Sequence, residues 1–199
     1  MNNLIDRAFI IHSKTFGETS VIFEFLTEEN GLISAILKGA KRRKDISQLQ
    51  LSKELIINTS RANLPLLLKY ELSKSYVIKR DYLLLVIYFN ELIYRLVPRS
   101  QPQKTLFDFY RNYISYMSTT QDHQDSVIIG FEILMLKNLG YAVSSEVPIN
   151  SIDENDVFYY DNLRGFKRAS DYHKGNKITG KDLKLLLNFD INSIQEKKA

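Results

Sequence analysis

Hydrophobic periodicity changes character near residue 80, and that switch sets a sheet before it and helices directly after it. Upstream, short apolar runs are rich in β-branched and aromatic residues. Arg7 to Phe16 ends at Gly17, and Ser20 to Thr27 follows. Glu28-Glu29-Asn30-Gly31 supplies the acceptors and the glycine of a tight turn, and Leu32 to Leu37 resumes the strand pattern. Leu55 to Thr59 and Leu66 to Tyr76 are two further strand segments, separated by Ser60-Arg61-Ala62-Asn63. Pro65 cannot donate to a ladder, so it fits a strand start or an edge. A small antiparallel sheet must hide its edges, and closure into a barrel does so economically. Five strands with a basic loop predict an OB-like barrel.

Downstream the period lengthens. Tyr82 to Val97 is apolar on nearly every face except at Asn90, Glu91 and Arg95, and stops at Pro98, which predicts a helix buried on most sides. Leu106, Phe109, Tyr110, Tyr113 and Met117 step by threes and fours through a second helix, Thr105 to Met117. Val127 to Leu139 reads as a third, with Asp125 or Ser126 as N-cap and Gly140 as C-cap. Three such helices predict one packed helical domain. Beyond Gly140, Val157–Tyr160 and Phe166–Ala169 predict a hairpin, Thr179–Leu187 a short helix, and Gln195–Ala199 a frayed tail. The expected fold class is therefore α+β. A five-stranded OB-fold β-barrel over residues 1–80 is followed by an α-helical domain over 81–199 with a small C-terminal β-hairpin and helix. The junction falls near Lys79-Arg80-Asp81.

The 199 residues are 44% hydrophobic and 25% charged, which excludes wholesale disorder and leaves enough chain for a substantial core. Cysteine is absent, which excludes a disulfide scaffold, a thiolate nucleophile and any cysteine-ligated metal, and fits a reducing cytoplasm. Nothing at Met1 to Arg7 reads as a signal peptide, and no apolar stretch approaches the roughly 20 residues of a membrane span. The expectation is a soluble cytoplasmic protein with no membrane partner.

Charge is distributed unevenly. Residues 1–80 hold 13 Lys and Arg against 8 Asp and Glu, while the remainder holds 14 against 15. Much of the surplus lies in Lys38, Lys41, Arg42, Arg43 and Lys44. Such asymmetry points to a nucleic-acid or anionic-membrane partner, set against the plainer reading of a solvated loop. These cations can neutralise phosphates and release counterions. Aromatic rings in a barrel can also stack bases, although Phe9, Phe23, Phe25, Tyr70 and Tyr76 are mostly needed for the core. Phe16, near a strand end beside Lys14, is the best candidate for base contact.

Signals for catalysis are weak by comparison. His12, His123 and His173 lack metal-ligand spacing, and no phosphate-binding, dinucleotide or nucleophile-elbow motif occurs. Asp153, Glu154 and Asp156 resemble a divalent-metal nuclease cluster only loosely, and an acidic solvated turn is the simpler reading. No catalytic residue, metal site or cofactor is expected.

Five spaced motifs then resemble one family, the bacterial recombination mediator RecO. They are Arg7-Ala8-Phe9-Ile10-Ile11-His12-Ser13 with Glu18-Thr19-Ser20, Thr27-Glu28-Glu29-Asn30-Gly31, Lys38-Gly39-Ala40-Lys41, Phe89-Asn90-Glu91-Leu92, and Phe131-Glu132 with Leu139-Gly140-Tyr141. Gly165-Phe166 is a weaker echo. The resemblance implies an N-terminal OB barrel, a helical domain and a non-enzymatic role in recombinational repair. It implies binding of single- and double-stranded DNA, annealing of complementary strands, and help in loading RecA. The implied partners are RecR and the acidic C-terminal tail of the single-stranded-DNA-binding protein, with RecA engaged indirectly. It places Lys38 to Lys44 where the family barrel presents positive charge to DNA.

Two departures stand out. Many family members carry a four-cysteine zinc module after the third helix, whereas Ser144 to Arg168 has no cysteine and is expected to be a zinc-free version, about residues 144–170. The family also usually continues past a helix like Thr179–Leu187, so the end at Ala199 is expected to mark a natural short form or a truncation. The alternative reading is a protein–protein adaptor in which Tyr82–Val97 anchors a partner and the basic loop is incidental.

Overall fold

The computed structural model describes residues 3–119, 124–141, 144–170 and 175–188. The third helix begins at Gln124, so Asp125 and Ser126, expected as its cap, fall inside its first turn rather than ahead of it; His123, His173 and the tail from Gln195 lie outside the described residues. The chain divides into two compact units, Met1–Asp125 and Ser126–Ala199.

In the first unit, β1 (Leu4–Phe16), β2 (Ser20–Thr27), β3 (Gly31–Leu37), β4 (Lys53–Thr59) and β5 (Leu67–Ser75) form one antiparallel sheet in the order β3-β2-β1-β4-β5. Alternation puts Ala8, Ile10, Phe23, Phe25, Ala35, Leu37, Leu55 and Ile57 together on one face as a core. Next to the outermost strand β5, its preceding residue Leu66 forms a parallel bridge with Ile36 of β3, the other outermost strand, and the Ile36 N–H donates to the Pro65 carbonyl at 2.8 Å. The continuous ladder that would close a barrel is not found between them among the described residues.

Helices α1 (Arg80–Leu96) and α2 (Lys104–Thr119) belong to this same unit. Phe9, on the face of β1 opposite the core, lies 5.5 Å from the Phe107 ring and 5.0 Å from the Tyr110 ring of α2. The segment joining the helices lies along β3. Leu32 bridges Arg99, and the Ser100 N–H donates to the Leu32 carbonyl at 3.0 Å. Gly31 is required there, because its φ is +69° and a Cβ would overlap the Gln101 carbonyl. Helix α1 buries Tyr82, Val86, Phe89, Asn90 and Ile93 but exposes Leu83, Leu84, Ile87 and Tyr88. It is thus buried along one face rather than on most sides, because only that face meets the rest of the unit.

Carboxylates knit sheet to helix. Glu28 accepts from Lys104 at 3.0 Å and lies 3.4 Å from Arg7 and 3.7 Å from Arg111. The Lys104 hydrogen bond, helped by the charges of Arg7 and Arg111, holds the Glu28 carboxyl below its usual range against the opposing effect of burial. With its folded pKa below the unfolded value of about 4.3, Glu28 contributes stability that is full above that value and fades as pH falls through the folded one. Lys104→Ala is therefore expected to flatten the loss of stability between about pH 5 and pH 3. Urea midpoints measured across that range check this.

In the second unit, α3 (Gln124–Asn138) buries Val127, Phe131, Leu134 and Met135. Strands β6 (Val157–Asp161), β7 (Gly165–Arg168) and β8 (Lys177–Thr179) form a three-stranded sheet in the order β7-β6-β8, followed by α4 (Gly180–Leu187). Ile152, Phe158, Phe166 and Leu183 make its core. The Thr179 hydroxyl caps α4 by accepting from the Asp182 N–H at 3.2 Å. No helix among the described residues is long and apolar enough to cross a membrane.

Candidate nucleic-acid interface

The basic segment begins where β3 ends. Gly39 adopts φ +67°, which turns the chain into a 3-10 turn at Ala40–Arg42, and a second turn runs from Lys44 to Gln48. The loop is anchored from within. Ala40 and Leu49 are buried in the sheet core, and Ile46 packs against it. Internal hydrogen bonds brace it, Arg42 N–H to the Gly39 carbonyl at 3.0 Å and Arg43 N–H to the Ala40 carbonyl at 3.1 Å. Apolar residues hold the loop while Lys38, Lys41, Arg42, Arg43 and Lys44 stay exposed.

A hydrogen bond joins this loop to the β1–β2 hairpin: the Lys41 N–H donates to the Thr19 carbonyl at 3.1 Å. That hairpin carries Lys14, which is exposed, and Phe16, which is 49% exposed. Phe9, Phe23, Phe25, Tyr70 and Tyr76 are all buried, so Phe16 alone among these strand aromatics presents its ring to solvent.

Two groups of cations in the first unit contrast, beside others such as Lys69 and Arg95 that pair locally with Glu71 and Glu91. Arg7, Arg99, Lys104 and Arg111 each contact carboxylates at the sheet–helix seam. Lys14, Lys38, Lys41, Arg42 and Lys44 make no ion pair among the described residues. Arg43 stands between the groups: it lies 3.5 Å from Asp45 and its guanidinium sits 5.5 Å over the Tyr70 ring. Burial, reinforced by Asp45, pushes the Tyr70 hydroxyl up to about 12, so that ring is neutral under physiological conditions. Five exposed, unpaired cations on a braced loop and hairpin form a surface suited to a polyanion.

Asp153, Glu154 and Asp156 build a loop. Asp153 Oδ1 accepts from the Asn155 N–H at 2.9 Å, and Asp156 pairs with Arg168 at 2.7 Å. No cluster of three His, Asp or Glu side chains fit to hold a metal occurs among the described residues. Sequence reasoning missed the environment of His12, whose ring stacks on Tyr94 at 4.6 Å. The alternating order His12, Lys14, Phe16 on β1 was the available signal.

Comparison with known sequences places a chain with this sheet, cationic loop and helices among recombination and DNA-repair proteins. Residues 1–76 match the family model described as recombination protein O N terminal, and residues 79–198 match recombination protein O C terminal. Among similar proteins, the DNA repair protein RecO of Hahella chejuensis is 30% identical over 164 residues, covering 80% of this chain and 69% of that one. Its counterpart in Coxiella burnetii is 30% identical over 186 residues, covering 90% and 80%. The chain belongs to the RecO family.

Proposed function

We propose that this protein is a non-catalytic recombination mediator that binds single- and double-stranded DNA, anneals complementary strands and assists RecA loading together with RecR. The observation that carries this reading is the set of unpaired cations at Lys14, Lys38, Lys41, Arg42 and Lys44, beside seam cations already matched to carboxylates. Residues 1–80 act as the DNA-binding domain and 81–199 as the helical domain. The cationic surface grips the phosphate backbone without reading sequence, and neutralising two strands lets them approach and pair. RecR and the acidic tail of the single-stranded-DNA-binding protein are the family-derived partners, in a cytoplasmic setting.

The test is fluorescence anisotropy of a labelled single-stranded oligonucleotide across a salt series. With about four phosphates contacted, log affinity falls with log salt at a slope near −3, so raising salt from 50 to 200 mM weakens binding about 60-fold. A flat salt response, or no binding by folded protein, refutes the reading. The second reading, a protein–protein adaptor, draws on the exposed Leu83, Leu84 and Ile87 of α1. It predicts that folded protein without a partner fails to hold DNA at physiological salt.

A further inference from the structure

We propose that the groove between β1 and α1 is a nucleobase-binding subsite for single-stranded DNA, an inference that rests on the DNA-binding reading above. The groove encloses about 240 Å³, with Ile11, Leu51 and Ile87 as apolar walls and His12, Asn90 and Tyr94 as polar members. That is below the roughly 300–1,000 Å³ typical of drug-sized ligands and on the scale of a single planar ring system.

Three observations converge on a base. The first is a preset stack: His12 lies on Tyr94 at 4.6 Å with 26° between the rings, and the Arg99 guanidinium packs 5.4 Å from the same Tyr94 ring. Arg99 is itself fixed by Glu24 at 2.6 Å and by the Ser34 hydroxyl at 3.1 Å. The half-buried His12 ring lines the groove and offers it an aromatic face on which a further ring can stack.

The second observation is a stranded donor. Asn90 is 3% exposed, and its Oδ1 accepts from the Tyr110 hydroxyl at 2.7 Å. That bond fixes the carboxamide and leaves Nδ2 buried with no acceptor. A buried amide donor normally finds a partner. The ring nitrogens and exocyclic oxygens of bases supply one.

The third is continuity with the cationic surface. Pairing of β1 with β2 shifts register between Ile10 and His12, and beyond that bulge His12, Lys14 and Phe16 alternate onto one face. A ring, a cation and a ring thus run from the groove to the hairpin bonded to Lys41. His12 and Phe16 stand about 13 Å apart along the strand, room for two stacking stations with a phosphate held between them. Glu91 also lines the groove, paired with Arg95, which disfavours a phosphate inside it and favours the uncharged base.

The experiment compares a thymidine oligonucleotide with an abasic oligomer of equal length, which carries the same phosphates and no bases. Wild-type protein is expected to prefer the thymidine strand about tenfold. His12→Ala is expected to abolish most of that preference while leaving affinity for the abasic strand and the salt slope unchanged. Ile87→Trp fills the groove from an exposed position that tolerates substitution, and is expected to cause the same selective loss. Equal binding of both oligomers by wild type overturns the subsite while leaving the backbone-gripping reading intact. An unchanged preference in both folded variants, the result if the groove receives a protein segment, overturns it as well. Failure of wild type to bind either oligomer removes the DNA reading altogether.

Discussion

Replacing Lys41, Arg42 and Lys44 together with alanine is expected to lower affinity for single-stranded DNA by two to three orders of magnitude at about 50 mM salt, and to flatten the salt slope from about −3 to about −1. The size follows from counterion release: each phosphate contact on a single strand contributes about −0.7 to the slope, and three of about four contacts are removed. Arg43 is left in place because it contacts Asp45 and covers Tyr70, so its loss would disturb the loop itself. Fold is expected to survive, since the loop is held by Ala40, Ile46 and Leu49 rather than by its cations. Lys104→Ala is the matched control, removing one charge that is already engaged by Glu28 and Glu29. Its slope should equal that of wild type. Anisotropy titrations at several salt concentrations read both results, and an unchanged slope in the triple variant would move the DNA surface elsewhere.

Phe9→Ala is expected to destabilise the first unit by about 3–5 kcal/mol, read as a drop in the urea midpoint at unchanged m-value. Phe9 is fully buried and touches three rings at once, Tyr76 at 6.1 Å, Phe107 at 5.5 Å and Tyr110 at 5.0 Å. Truncation removes an aromatic side chain from the middle of a cluster whose neighbours come from the sheet and from α2, so none can collapse into the space without dragging its own element. Tyr76 is constrained further, because its hydroxyl donates to the buried Glu54 at 3.1 Å. A loss below about 1 kcal/mol would mean that the sheet–helix contact is softer than this packing implies.

The five strands of the sheet and α2 were legible from their period, and α1 and α3 from apolar runs too long for a strand. Strand β8 was not, since Lys177–Thr179 is too short for alternation to register. The partial exposure of α1 was also hidden, because a helix apolar on most faces reads as buried whether or not enough partners exist to cover it. Seven apolar positions between Tyr82 and Tyr88 hold no information about which neighbours arrive. At the interface, the cationic loop and the exposure of Phe16 could be read from local sequence. The pairing of Arg43 and the stack of His12 on Tyr94 could not, since both depend on residues brought together from distant parts of the chain. Family membership entered through motif order, which periodicity alone does not register.

The segment between α1 and α2 carries one more consequence. With Arg99 and Ser100 laid along β3, and Gln101 against Gly31, the two helices are fastened to the sheet at its outer strand as well as across its face. A piece cut at residue 80 would uncover Phe9, Leu26 and Leu32 together and leave the Leu32 carbonyl, at the start of β3, without the Ser100 N–H. Sheet and helices are therefore expected to melt as one cooperative block, and a fragment that keeps the cationic loop on its native scaffold is expected to need the whole first unit, to about residue 125.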